Sequence, residues 1–142
     1  MTYKARGKKG EESHREKELI YEIKQQLHYQ LVLFEHGCDV FGIRNGIRAG
    51  TEVERRARPQ IERNIRRDFA LGIDVLIIAC RTENLRQWVE EKVLRRLPEF
   101  RERIRLITFA EIERRDIDVF KVEEWAPGLN QAPSETSEIS KT

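Results

Sequence analysis

The dipeptide Asn45-Gly46 constrains this chain more than any other feature. It suits a two-residue type I′ hairpin, whose central residues both need positive φ. The stretch FEHGCDVFGIRNGIRAGTEVERR, Phe34 to Arg56, therefore reads as two short strands joined at that point. Such a turn sets the register by arithmetic: Arg44 faces Ile47, and each outward step keeps the two residue numbers summing to 91. Asp39 then stands opposite Glu52. Side chains alternate between faces, so Glu54 lies on the same face one pleat further along. Val40, Ile47, Ala49 and Val53 take the other face and are expected to meet the core, leaving a charged, half-exposed face opposite.

Like charges directly across a hairpin are destabilising, so three carboxylates on one patch call for solvent screening or a bridging cation. A divalent ion is the natural bridge. Hard ions such as Mg²⁺ and Mn²⁺ take one or two carboxylates, a backbone carbonyl and waters, and keep positions open for a phosphate.

The order of elements expected here is an N-terminal helix, an Asp opening one strand of a hairpin, an acid-x-acid triplet closing the next, then a helix and a hydrophobic strand. This pattern resembles the PD-(D/E)XK nuclease superfamily, which includes restriction enzymes and Holliday-junction resolvases. The residues that carry the resemblance are Cys38-Asp39 and Glu52-Val53-Glu54, and it extends from Gly10 to Ile112. Cys38 stands where the family signature has Pro, and Glu54 where it has Lys. The resemblance implies an α/β, restriction-endonuclease-like fold: an α-β-β-β-α-β core with a mixed central sheet flanked by helices, here with an additional C-terminal helix and strand. It also implies Mg²⁺ or Mn²⁺ held by Asp39, Glu52 and the carbonyl of Val53, with Asp39, Glu52 and Glu54 as the catalytic residues. The implied partner is DNA, with RNA an open alternative, and since many relatives act as dimers a homodimer is compatible.

Beyond Glu54 the chain turns basic, with Arg55, Arg56, Arg58, Arg63, Arg66 and Arg67 relieved by Glu62 and Asp68. Pro59 suits the first turn of a helix, and Ile61, Ile65 and Phe69 give it a buried stripe. An arginine-rich helix face on its own is simply solvated. Beside the acid patch, Arg55, Arg56, Arg58, Arg63 and Arg67 are candidates for holding a phosphodiester backbone. His14 and Glu18 on the N-terminal helix, and Gln60 and Asn64 on this one, are accessory candidates; an exposed, capping or ion-paired role is the favoured account of the first two, and a surface amide an equally good account of the second two.

The remaining elements follow from pattern. Ser13 with Glu16 has capping-box spacing and starts a helix to His28 or Tyr29 with Leu19, Ile20, Ile23 and Leu27 inward. Leu31 to Phe34 is a first strand. Gly72 ends the arginine-rich helix, and the near-continuous apolar run Ile73 to Cys80 predicts a strand covered on both faces. Thr82 opens a helix through Leu97. Arg103 to Thr108 predicts a last strand, Phe109 to Arg114 a helical turn, and the segment from Asp116 to Trp125 packs back on the domain. The domain thus spans 13–125, between a mobile basic arm at 1–12 and a Pro-, Ser- and Thr-rich tail at 126–142 expected to be disordered.

Composition narrows the function by exclusion. With 27 Lys+Arg against 25 Asp+Glu, the net charge of +2 is too small to prove a nucleic-acid partner, so any such claim depends on distribution. Two cysteines, no apolar run near membrane-spanning length and no leader pattern predict a cytoplasmic protein with reduced thiols and no membrane partner. There is no Cys/His metal motif and no glycine-rich phosphate loop. The reading that follows is a metal-dependent nuclease cleaving DNA phosphodiesters. The alternative is a catalytically inactive nuclease-like module that binds nucleic acid or a protein partner, and a third possibility leaves the hairpin acids merely paired with neighbouring arginines.

Overall fold

Strands β1 (Leu31–Phe34), β2 (Val40–Arg44) and β3 (Ile47–Glu54) form an antiparallel meander. The structure is a computed structural model that describes residues 17–18, the backbone of 31–34, and residues 37–116 and 118–128. Asn45 has φ 52° and Gly46 φ 80°, the left-handed pair a type I′ turn requires. The register is the expected one, from Arg44 opposite Ile47 to Val40 opposite Thr51.

The chain then crosses the sheet. Helix α1 (Gln60–Ala70) starts after Pro59 and presses Ile61 and Ile65 onto the sheet; burying such side chains stabilises by roughly 1.5–3 kcal/mol each. Its outer face carries the arginines. Gly72, at φ 100°, takes the left-handed conformation that stops the helix, and β4 (Val75–Cys80) returns parallel to β3. A parallel pair needs such a crossover, and α1 supplies it. All six residues of β4 are buried, as a strand covered on both faces demands.

Thr82 caps the next helix, α2 (Glu83–Trp88), its hydroxyl accepting the Leu85 N–H at 3.1 Å. The sequence predicts one regular helix through Leu97; the structure instead widens into a π turn at Val89–Val93 and tightens into a 3₁₀ turn at Leu94–Arg96. Val89, Val93, Leu94 and Leu97 are all buried, and fitting all four against the sheet departs from the 3.6-residue period. Strand β5 (Ile104–Thr108) pairs parallel to β4, completing a five-stranded mixed sheet in the order β1-β2-β3-β4-β5. Helix α3 (Phe109–Glu113) begins with a capping box between Thr108 and Glu111. The segment 118–128 then packs back as expected: Phe120 and Val122 are buried, the Trp125 indole N–H donates to the Val119 carbonyl at 2.7 Å, and Arg105 lies over the Trp125 ring at 4.6 Å.

Two apolar layers sandwich the sheet. Val40, Ile47, Ala49 and Val53 meet Ile112, Phe120 and Val122 on one side, the face assigned to them by alternation. On the other, α1 and α2 cover Phe41, Leu76, Ile78 and Cys80. That second layer corrects one expectation. The acid-bearing face of the hairpin is not half-exposed: Glu52 is 4% and Glu54 1% accessible, because α1 closes over it. The expected N-terminal helix lies outside the described residues apart from Lys17 and Glu18, which are helical; the basic arm and the tail beyond Gly128 lie outside them too. Among the described residues, no helix is long and apolar enough to cross a membrane.

Candidate functional site

The three hairpin acids lie at one end of the sheet, but among the described residues the group close enough to share one ion is Cys38, Glu52 and Asp68, without Asp39 or Glu54. Asp39 stands just before β2, and its Oδ2 accepts the Val53 N–H at 2.7 Å. That bond continues the tie between the two strands beyond the last main-chain pair, Val40 with Thr51. Glu52, Val53 and Glu54 close β3 beside Ile78, Ala79 and Cys80 of β4. The patch therefore sits at the carboxyl ends of two parallel strands, the position where open α/β sheets place their ligands.

Each acid has a cationic neighbour. Lys17 Nζ lies 3.2 Å from Asp39 Oδ1. Arg58 Nη2, four residues further along the chain, lies 3.2 Å from Glu54 Oε1, and Arg67 Nη2 lies 3.0 Å from Glu52 Oε2. Arg67 reaches further, donating to the Gly37 carbonyl and to Asp68 Oδ1, the latter at 2.9 Å. Of the five arginines expected to form a rim around the acids, Arg58 and Arg67 thus lie on the acids themselves. Arg63 donates to Gln60 Oε1 at 2.6 Å, Arg56 is exposed and Arg55 half-buried. Asn64 hydrogen-bonds Glu54. Glu18 is exposed beside Lys17, and His14 lies outside the described residues.

Sequence reasoning passed over Asp68. Its side chain is fully buried, although every other charge on α1 reaches solvent. Seven residues after Ile61 and three after Ile65, it sits on the apolar stripe of the helix, and a charge on that stripe is the signal that marks it. Its Oδ2 is buried with no hydrogen-bond partner. Cys38, Glu52 and Asp68 bring a thiol sulfur and two carboxylate oxygens within 4.8 Å of one another. The thiol reaches this point because β3 has Gly50 on the acid face: a Cβ there would stand 2.5 Å from Cys38 Sγ.

No family model, curated protein or solved structure matches the chain. Burial above all pushes the Glu52 carboxyl from its ordinary 4.5 up to about 11, helped by a hydrogen bond to Asp68 and by the negative charges of Asp39 and Asp68, against the opposing pull of Arg67. Glu54 is raised as well, again by burial first, with Arg58 and Asn64 working against it. Burial also pushes the Cys80 thiol up to about 12, with the Glu54 charge adding to it. The site strains to hold its negative charge, the property that a divalent ion relieves. The donors close enough to share such an ion are the Cys38 thiol and the Glu52 and Asp68 carboxylates, with Asp39 on the Val53 N–H at the same end of the sheet.

Proposed function

We propose that this protein is a metal-dependent nuclease that hydrolyses DNA phosphodiesters. The observation that carries this reading is the Asp39 carboxylate locked on the Val53 N–H, which draws Asp39, Glu52 and Glu54 together at the carboxyl ends of β3 and β4. Support comes also from the fold: an antiparallel meander, a helical crossover and a parallel fourth strand are what the resemblance to PD-(D/E)XK nucleases implies.

Asp39, Glu52 and the Val53 carbonyl would hold Mg²⁺ or Mn²⁺. Such an ion supplies Lewis-acid polarisation of the phosphoryl oxygen and a water of lowered pKa. Glu54, a carboxyl whose basicity burial raises above the ordinary carboxylate range, is suited to accept the proton of the attacking water. It stands where the family has Lys, so that charge stabilisation falls instead to guanidinium groups. Arg58 and Arg67, both about half exposed, would leave their acids for the phosphate oxygens, which they match in bidentate geometry. Arg55, Arg56 and Arg63 extend the basic surface along the strand.

The test is incubation of the purified protein with supercoiled plasmid and Mn²⁺. Nicking is expected, and Asp39→Ala abolishes it; cutting by the Asp39→Ala protein at the wild-type rate would refute the assignment. One observation favours a second reading, a nuclease-like module that binds without cleaving: Arg58 and Arg67 already neutralise Glu54 and Glu52. In that case DNA is retained with and without Mn²⁺, and the plasmid stays supercoiled.

A further inference from the structure

We propose that Cys38, Glu52 and Asp68 form a buried binding site for a thiophilic divalent transition ion of the Zn²⁺ and Co²⁺ class, which shares Glu52 with the Asp39-centred site and differs from it in its other donors and in its chemistry. It goes beyond the nuclease reading and does not need it. The three donor atoms lie within 4.8 Å of one another, close enough that small side-chain shifts would let one ion between them stand at the roughly 2.0–2.3 Å ligand distances of this class. They come from three separate places in the chain: the turn before β2, the end of β3, and the buried stripe of α1.

Asp68 points to a ligand on its own account. Its carboxylate is fully buried, Oδ1 is engaged by Arg67 at 2.9 Å, and Oδ2 has no hydrogen-bond partner. A buried carboxylate oxygen left without a donor is costly, and coordination to an ion satisfies it. Charge counting points the same way. Once ionised as ligands, Glu52 and Asp68 carry two negative charges, and one guanidinium, Arg67, stands against both. An added divalent ion together with the Cys38 thiolate brings this group to neutrality, with the protons of the Cys38 thiol and the Glu52 carboxyl released to solvent. In the ion-free protein Arg67 holds the two carboxylates in place. The thiol also decides the class of ion: thiolate sulfur favours Zn²⁺ or Co²⁺ and disfavours Mg²⁺, whose coordination calls for oxygen. Gly50 preserves the arrangement, since a Cβ would stand 2.5 Å from Cys38 Sγ and displace the thiol.

Titration of the metal-free protein with Co²⁺ tests this. Thiolate-to-cobalt charge transfer in the near ultraviolet should saturate at one equivalent, disappear on adding Zn²⁺ and withstand excess Mg²⁺. Cys38→Ser should remove the band, and the near-isosteric Asp68→Asn should weaken Co²⁺ binding on the order of tenfold or more. Circular dichroism checks that each variant is folded. Cys80→Ser, altering the other buried thiol, and Asp39→Ala should both keep the band. Absence of the band from the wild type, its survival at unchanged affinity in Asp68→Asn, or its loss in Cys80→Ser or Asp39→Ala would each overturn the proposal. Loss of nicking in Asp39→Ala with the band intact separates the two sites, so either reading can fail without the other.

Discussion

Raising the pH should destabilise the metal-free protein, and Glu52 should account for a defined part of the loss. Its carboxyl is buried, 4% accessible, and pushed from 4.5 up to about 11 by that burial, the hydrogen bond to Asp68 and the charges around it. The folded state therefore keeps a proton that the unfolded state has released anywhere between those values. Because the native state binds more protons, unfolding free energy falls as pH rises; the contribution is fully present below pH 4.5 and drains away toward 11. One proton corresponds to about 1.36 kcal/mol per pH unit at most, so going from pH 6 to pH 8 costs roughly 2.7 kcal/mol. With a urea m-value of about 2 kcal/mol/M, the midpoint should drop by about 1.3 M. Glu52→Gln stays neutral at every pH and keeps a donor for Asp68, so its profile should be flatter by that amount. Other titrating groups act on both proteins and cancel in the difference. Urea denaturation at pH 6, 7 and 8 in the presence of a chelator measures it. Parallel profiles for wild type and Glu52→Gln would show that Glu52 is ionised in the folded protein and that Arg67 fully offsets the cost of its burial.

Further outcomes follow from particular contacts. Arg67→Ala leaves the Glu52 and Asp68 carboxylates without their shared guanidinium and should cost about 1–3 kcal/mol in urea denaturation, less than the about 3–5 kcal/mol of a fully buried pair because Arg67 is half exposed. Ile65→Ala hollows the contact between α1 and the sheet and should cost about 2–5 kcal/mol; a loss under 1 kcal/mol would place that helix elsewhere. Thr108→Ala removes the acceptor for the Glu111 N–H and should lower stability by about 1 kcal/mol with a shift in thermal midpoint of a few degrees.

Local chemistry settled the hairpin before any coordinates. Two adjacent positive-φ positions admit few alternatives, and a period of two then assigns every side chain from Val40 to Glu54 to a face, which is why the register could be written down from numbering alone. The apolar run of β4 and the caps at Thr82 and Gly72 were legible for the same reason: each depends on a few neighbouring residues. What covers the acid face was not legible, because it depends on where the helix that begins at Gln60, beyond the end of β3, comes to rest. Alternation says that Glu52 and Glu54 share a face but not whether water or α1 lies over it. Tertiary packing decided that, burying both and turning Arg58 and Arg67 from an expected rim into partners. It also joined Asp68 to Cys38 and Glu52, residues from three segments with no common spacing, and it let α2 abandon the regular helical period to fit four apolar side chains against one sheet.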